Sequence, residues 1–500
     1  MIPLTLPEIA EVVGGTVHDD PAGVTVRGPA FIDSRVAEQD GLFVAVAGER
    51  VDGHDYARTA VDAGAAAVLA SRPVGVPAVV VDDVMSALAE LAKHVVARLP
   101  DLTVVGLTGS QGKTSTKDLL AQVLERAGRT VATYGSFNNE LGMPLTALRA
   151  DPRTQYLVLE MGARGIGHIR ELCELTPPRV GLVLNVGKAH VGEFGSQQAI
   201  AQAKGELVEA VVEGGTAVLN ADDPLVSAMA SRTDQRVLTF GYGDAADVRI
   251  EGLTTDDLTR SEFDLVTAEG KAHVKLRGLG EHQAGNAAAA AAVAVAVGMP
   301  LDDVATALSE AESVSRWRME VHERPDGVTV INDAYNANPD SMRAALKSLA
   351  EIGRRRPGAR TLAVLGEMRE LGDTAMEEHD TVGRLAVRLD IHQLVVVGDA
   401  ARPIHLGASL EGSWGGESVF VPDTDAALAW LRDNVTDGDV VLVKASRAAA
   451  LERVVDALLE DSTSTSPRVV EPVENAAPRV VEPVETTDTN VNPRNGEAGR

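Results

Sequence analysis

Along residues 102 to 127 the hydrophobic pattern changes period. Leu102 to Leu107 is an apolar, β-branched run, and Leu119, Leu120, Val123, Leu124 and Ala127 then recur at helical spacing, so the pattern predicts a strand followed by a helix. The turn between them reads Gly109-Ser110-Gln111-Gly112-Lys113-Thr114-Ser115. Such a turn directs successive backbone N–H groups and the positive end of the helix dipole toward one point, where a polyphosphate can be held. Lys113 is placed to reach the phosphates and the Thr114 hydroxyl to reach Mg2+. The spacing is shorter than G-x-x-x-x-G-K-[ST], because Leu107 stands where the first glycine of that form belongs. The pattern points to nucleotide binding and says little about the reaction.

The same periodicities divide the chain into three α/β units and a tail. Residues 1–99 alternate short apolar runs (Gly41 to Val46, Ala65 to Leu69, Ala78 to Val81) with helical patterns such as Val84 to Leu99, and Pro100 ends them. Residues 100–321 hold the phosphate turn, strands at Tyr156 to Met161 and Val180 to Val186, a helix from Ser196 to about Val212, and an alanine-rich helix closed by Gly298. Residues 322–460 carry strands at Thr361 to Leu365, Leu394 to Val397, Val419 to Val421 and Val440 to Val443, with helices near 374–389, 425–434 and 447–459. Hinges are expected near Pro100 and from His322 to Pro325. Residues 461–500 lack periodicity and repeat Pro-Arg-Val-Val-Glu-Pro-Val-Glu from Pro467 and again from Pro478, so they are expected to form a disordered tail.

Charge and cysteine content narrow the function classes. With 73 acidic against 46 basic residues the formal charge is -27, which argues against a nucleic-acid surface and requires anionic substrates to be met by local Lys, Arg or metal ions. Cys173 is the only cysteine, so no intrachain disulfide is possible, in keeping with a reducing cytoplasm. The start of the chain has neither a basic segment nor a long apolar core, and no apolar run is long enough to span a membrane.

In a doubly wound parallel sheet, ligands gather beyond the carboxyl ends of the strands. Glu160 ends one predicted strand and His190 follows another, so both are expected to face the phosphate turn, where Glu, His and the Thr114 hydroxyl suit Mg2+. Lys204 falls at i+4 from Ile200 in a stripe continued by Leu207, Val208 and Val211, where a solvated lysine does not belong. It is read either as an amine snorkelling out over apolar surface or as one turned into the crevice. In the crevice desolvation lowers its pKa, makes it reactive toward CO2 and allows a carbamate able to bridge metal ions. Asn286, near the start of the alanine-rich helix, could contact a base. The string Asp333-Ala334-Tyr335-Asn336-Ala337-Asn338-Pro339 carries more polar side chains than a turn needs.

With the short phosphate turn, Glu160, His190, Lys204, Asn286 and three α/β units in place, the chain resembles the Mur ligase family of peptidoglycan precursor synthesis over about residues 1–460. Two strings, Tyr134 to Thr146 and Asp333 to Met342, point to the branch that joins D-alanyl-D-alanine to a UDP-N-acetylmuramoyl-tripeptide. The resemblance implies an α/β, three-domain architecture: a central ATPase domain with a parallel sheet, a small UDP-binding N-terminal domain and a Rossmann-like C-terminal domain. It implies ATP at Gly109 to Ser115, one Mg2+ on Thr114 and Glu160, and a second on His190 and a carbamylated Lys204. Asn286 would contact adenine, and Arg318 and Asp333 the phosphates or ribose. Ser34 and Arg35 would meet the UDP end, with Asn138, Asn139, Tyr335, Asn336, Asn338, Lys444, Ser446 and Arg447 as further substrate-binding positions, the C-terminal ones at the incoming dipeptide. The expected protein is a cytoplasmic monomer with no nucleic-acid partner. Gln283 departs from the family's usual Asn after the His, and Ala445 from its usual Gly between Lys and Ser. A sister ligase adding the third stem residue, a folylpolyglutamate synthetase and a nucleotide-driven switch are the rival readings.

Overall fold

The computed structural model describes residues 1–20, 23–48, 51–135, 137–187, 194–411 and 417–463. His190 lies outside them, as do the repeats of the tail. By contacts the described chain divides into two units: residues 3–10 with 15–84, and residues 1–2 and 11–14 with everything from Met85 onward. The helix Val84–Ala97, assigned to the first domain on its pattern, falls almost wholly in the second unit.

The smaller unit holds a five-stranded sheet in the order Thr16–His18, Ala78–Val80, Ala67–Ala70, Leu42–Val44, Ala30–Phe31, parallel except for its first pair. Phe31, Phe43, Val68 and Ala78 lead its core. The three apolar runs expected here are the three central strands, each buried on both faces as parallel strands require.

The larger unit contains two sheets. In the nine-stranded one, Thr103–Thr108 lies between Val180–Val183 and Tyr156–Glu160, all parallel, so the ends of these strands open on the same side. The alanine-rich helix His282–Ala296 packs on this sheet, with eight consecutive positions from Ala287 to Ala294 fully buried. Small side chains let helix and sheet approach closely. Gly298 adopts φ +89° just beyond Val297, which is the C-cap itself. The strands Val248–Thr255, Arg260–Thr267 and Gly270–Leu279 extend the sheet as antiparallel hairpins.

The six-stranded sheet runs Glu320–Glu323, Thr329–Asp333, Val440–Lys444, Thr361–Leu365, Gln393–Val397, Ser418–Val421, with only the first pair antiparallel. Its first strand includes His322, so the hinge expected at His322 to Pro325 falls on a paired strand and the turn after it. The irregular stretch is 311–319. The helix expected at 447–459 is also revised: Arg447–Ala449 is a 3-10 turn, Ala450 breaks it with φ +50°, and the helix proper is Glu452–Thr463, which enters the stretch expected to be tail. Asn338 and Pro339 start the helix Pro339–Arg355 with a full capping box, a device worth about 1 kcal/mol.

Candidate active site

The phosphate turn forms where the strand Thr103–Thr108 meets the helix Lys113–Glu125. Gly112 caps the helix with φ +79°, and a Cβ there would sit 2.6 Å from Asn286 Oδ1, so both backbone and space call for glycine. The same contact sets Asn286 against the turn, where its Nδ2 donates to Gln283 Oε1 at 3.0 Å. The departure at Gln283 therefore supplies the acceptor that orients Asn286. Beside them a cleft is lined by Ser115, Asp118, Leu276, Gln283, Leu308 and Arg318.

Thr114 and Glu160 meet as expected, the hydroxyl donating to Glu160 Oε2 at 3.0 Å, while Asn138 Nδ2 donates to Oε1 at 3.0 Å. Arg318 Nη2 approaches the Thr114 hydroxyl at 3.3 Å, and its guanidinium lies 4.2 Å from the centre of the Tyr335 ring. Lys113 Nζ donates to Gly109 O at 2.9 Å. Burial pushes the Lys113 pKa down, with Glu160 opposing and Arg318 adding to the shift.

Lys204 lies in the helix Gln197–Glu209, whose N-cap is Ser196. It is 6% exposed, which excludes a solvated amine. Burial holds its pKa well below the ordinary lysine value, and the charge on Lys113 pushes the same way. Burial and the nearby Lys113 thus act together against the charged form of the Lys204 amine.

On the strand ends of the six-stranded sheet, Lys444 Nζ meets Asp333 Oδ2 at 2.6 Å and donates to Asn336 O at 2.8 Å. Lys444 is 2% exposed, so it serves as the pin that holds Asp333 and the Asn336 turn. Ser446 Oγ accepts from Arg369 N at 3.0 Å. Arg447 lies 4.3 Å over the Trp317 ring and pairs with Glu452. Asn139 and Asn338 act as helix-end acceptors, for Gly142 N at 2.9 Å and Ser341 N at 2.8 Å. Asn336 Oδ1 accepts from Ala337 N at 2.8 Å. The methyl of Ala445 is buried where Gly366 leaves it room, since a Cβ on Gly366 would lie 2.7 Å from it. In the smaller unit Ser34 is buried, and exposed Arg35 is held by Asp33 at 2.6 Å.

Two residues were given no role of their own from the sequence. Asn185 Oδ1 accepts from both Ser110 N and Gln111 N at 3.0 Å, and its Nδ2 donates to Gln111 O at 3.1 Å, so one side chain braces the turn. Its signal was available: a polar residue just past a fully buried parallel strand. The second is Asp340, whose Oδ2 would lie 2.8 Å from a Cβ on Gly187, a residue that in turn donates to Ser110 Oγ at 2.9 Å. The helix Pro339–Arg355 thus begins beside the phosphate turn.

Residues 31–106 match the family described as Mur ligase family, catalytic domain; residues 107–294 match Mur ligase middle domain; and residues 317–447 match Mur ligase, glutamate ligase domain. The UDP-N-acetylmuramoyl-tripeptide--D-alanyl-D-alanine ligase of Mycobacterium tuberculosis is 52% identical, over 94% of this chain and 100% of that one. Among solved structures, MurF from Acinetobacter baumannii superposes with a TM-score of 0.80 at 30% identity, covering 92% of this chain and 99% of that one. The MurF ligase from Thermotoga maritima in complex with ADP gives 0.74 at 30% identity, covering 88% and 98%. A relative half identical end to end, and the three matched domains in order, lead to one conclusion: this chain belongs to the Mur ligase family.

Proposed function

We propose that this chain is an ATP-dependent ligase that joins D-alanyl-D-alanine to UDP-N-acetylmuramoyl-tripeptide, forming the pentapeptide precursor of peptidoglycan with release of ADP and phosphate. The observation that carries the reading is the convergence of the Lys113–Thr114 turn, Glu160 and Arg318 at one point, in a chain half identical to a ligase of that name. The proposed place of action is the cytoplasm, where ATP is at hand, and the proposed acting form is a monomer.

The terminal carboxylate of the tripeptide attacks the γ-phosphate of ATP, giving an acyl phosphate. The neutral amine of D-alanyl-D-alanine then attacks the acyl carbon, and as the tetrahedral intermediate collapses phosphate departs, taking up the proton that the new amide nitrogen sheds. The first step forces negative oxygens together, and Lys113 and Arg318 are positioned to offset that charge. The second needs water kept out, because an acyl phosphate hydrolyses.

Thr114 and Glu160 form a pair of buried hard oxygen donors, and the pair already accommodates a cationic group in Arg318; these features fit Mg2+. When bound there, Mg2+ would neutralise charge on the phosphate oxygens. A second ion on His190 and a carbamylated Lys204 is part of the same proposal. Neutral Lys204 is the form that adds to CO2, and the resulting anion would exchange repulsion from Lys113 for attraction. Adenine is assigned to the cleft by Gln283 and Asn286, the UDP end to Ser34 and Arg35, and the dipeptide to the turn at Tyr335 to Asn338 with Ser446 and Arg447.

Purified protein given ATP, Mg2+ and UDP-tripeptide should release phosphate only when D-alanyl-D-alanine is added. Diaminopimelate, lysine or D-glutamate in its place, or a folate with glutamate, should give background rates. Equal turnover with a single amino acid would identify a sister ligase instead.

A further inference from the structure

The helix that begins at the phosphate turn has a second role along its length. Thr114, Asp118, Gln122 and Arg126 recur every four residues and so share one face. That face is laid against residues 310–318, the stretch through which the chain passes to its six-stranded sheet. Arg126 pairs with Glu310. Gln122 Nε2 donates to Glu312 O at 2.9 Å while its Oε1 accepts from Glu312 N at 3.0 Å. Asp118 accepts from Ser315 N at 3.2 Å, and Thr114 from Arg318 at 3.3 Å. Asp118 is itself braced by buried Lys117 at 2.7 Å, whose amine also donates to Thr133 O at 2.8 Å.

Residues 311–319 have no helix or strand of their own. Their backbone groups still need partners, and the phosphate helix supplies them at Glu312, through both N and O, and at Ser315, through N. Gln122 makes to one residue both bonds that a neighbouring strand would make, so it sets the register. A slip of one residue would carry Arg318 about 3.3 Å along the chain and away from Thr114.

We propose that Gln122 is a positioning residue: by gripping Glu312 it fixes the register of 310–318 and so delivers Arg318 to the phosphate site. This rests on the reading of that site as the nucleotide site of a ligase. The test is a double-mutant cycle on ADP affinity, measured by calorimetry in Mg2+ on full-length protein. Gln122→Ala is expected to weaken ADP by about tenfold in the parent, the loss of roughly one to two hydrogen bonds' worth of positioning. In an Arg318→Ala background the same change should alter affinity by less than about twofold. Gln122→Glu, which keeps the acceptor and loses the donor, should fall between parent and Gln122→Ala. An unchanged affinity in the parent background, or an equal loss in both backgrounds, would overturn the proposal. If the cycle behaves as stated while D-alanyl-D-alanine elicits no phosphate release, the ligase reading fails and the register device stands.

Discussion

Lys204→Ala is expected to lower substrate-dependent phosphate release by about a thousandfold or more, a loss of about 4 kcal/mol in transition-state stabilisation, while ADP affinity changes less than about threefold. The split follows from where the residue lies. Lys204 is buried on the helix Gln197–Glu209 and is not part of the turn itself, and burial there disfavours the charged amine, the form that cannot add CO2. Alanine suits the helix and removes a buried polar group, so circular dichroism and the melting temperature should stay close to the parent's. In 13C-bicarbonate the parent should show a carbamate carbon signal that the variant lacks. A variant with a near-normal rate would refute the carbamate.

Lys113→Ala should act differently. It removes the cation proposed to meet the phosphates, so it is expected to weaken ADP by about tenfold and to slow turnover by a further factor of about a hundred. Lys113 now donates to Gly109 O, a bond it would exchange for phosphate oxygens, and burial magnifies each charge interaction around it. Calorimetry with ADP and initial rates under saturating ATP separate the two losses. Loss of turnover with ADP affinity intact would remove Lys113 from the nucleotide site.

Much of this arrangement was legible in the amino-acid sequence, for identifiable reasons. The switch of period at Leu107 to Leu119 located the strand, turn and helix, because buried parallel strands and amphipathic helices leave different spacings. Lys204 stood out because a charge interrupted a stripe that burial then enforced. Asn338 and Pro339 announced a helix start by their own backbone chemistry.

Other features left weaker marks. The hairpins from Val248 to Leu279 do alternate, as in Ala272, Val274 and Leu276, but Thr, Asp and Gly around them read equally as loop. The break at Ala450 carries no signal, since alanine is a good helix former and only its surroundings impose φ +50°. The pin between Lys444 and Asp333 joins residues 111 positions apart, and the grip of Gln122 on Glu312 spans 190. Pairings at such separations are set by how the sheets pack, which local periodicity does not encode. Asn139 and Asn338 show the opposite case, polar side chains whose present bonds are those of helix ends.

The most direct test of the account follows one oxygen. With 18O in the terminal carboxylate of the UDP-tripeptide, attack on ATP makes that oxygen the bridge of the acyl phosphate, and the bond between it and carbon breaks when D-alanyl-D-alanine adds. Mass spectrometry of the released phosphate should therefore find one 18O per turnover, dependent on the dipeptide. Phosphate without label, released at the same rate as pentapeptide forms, would contradict the account.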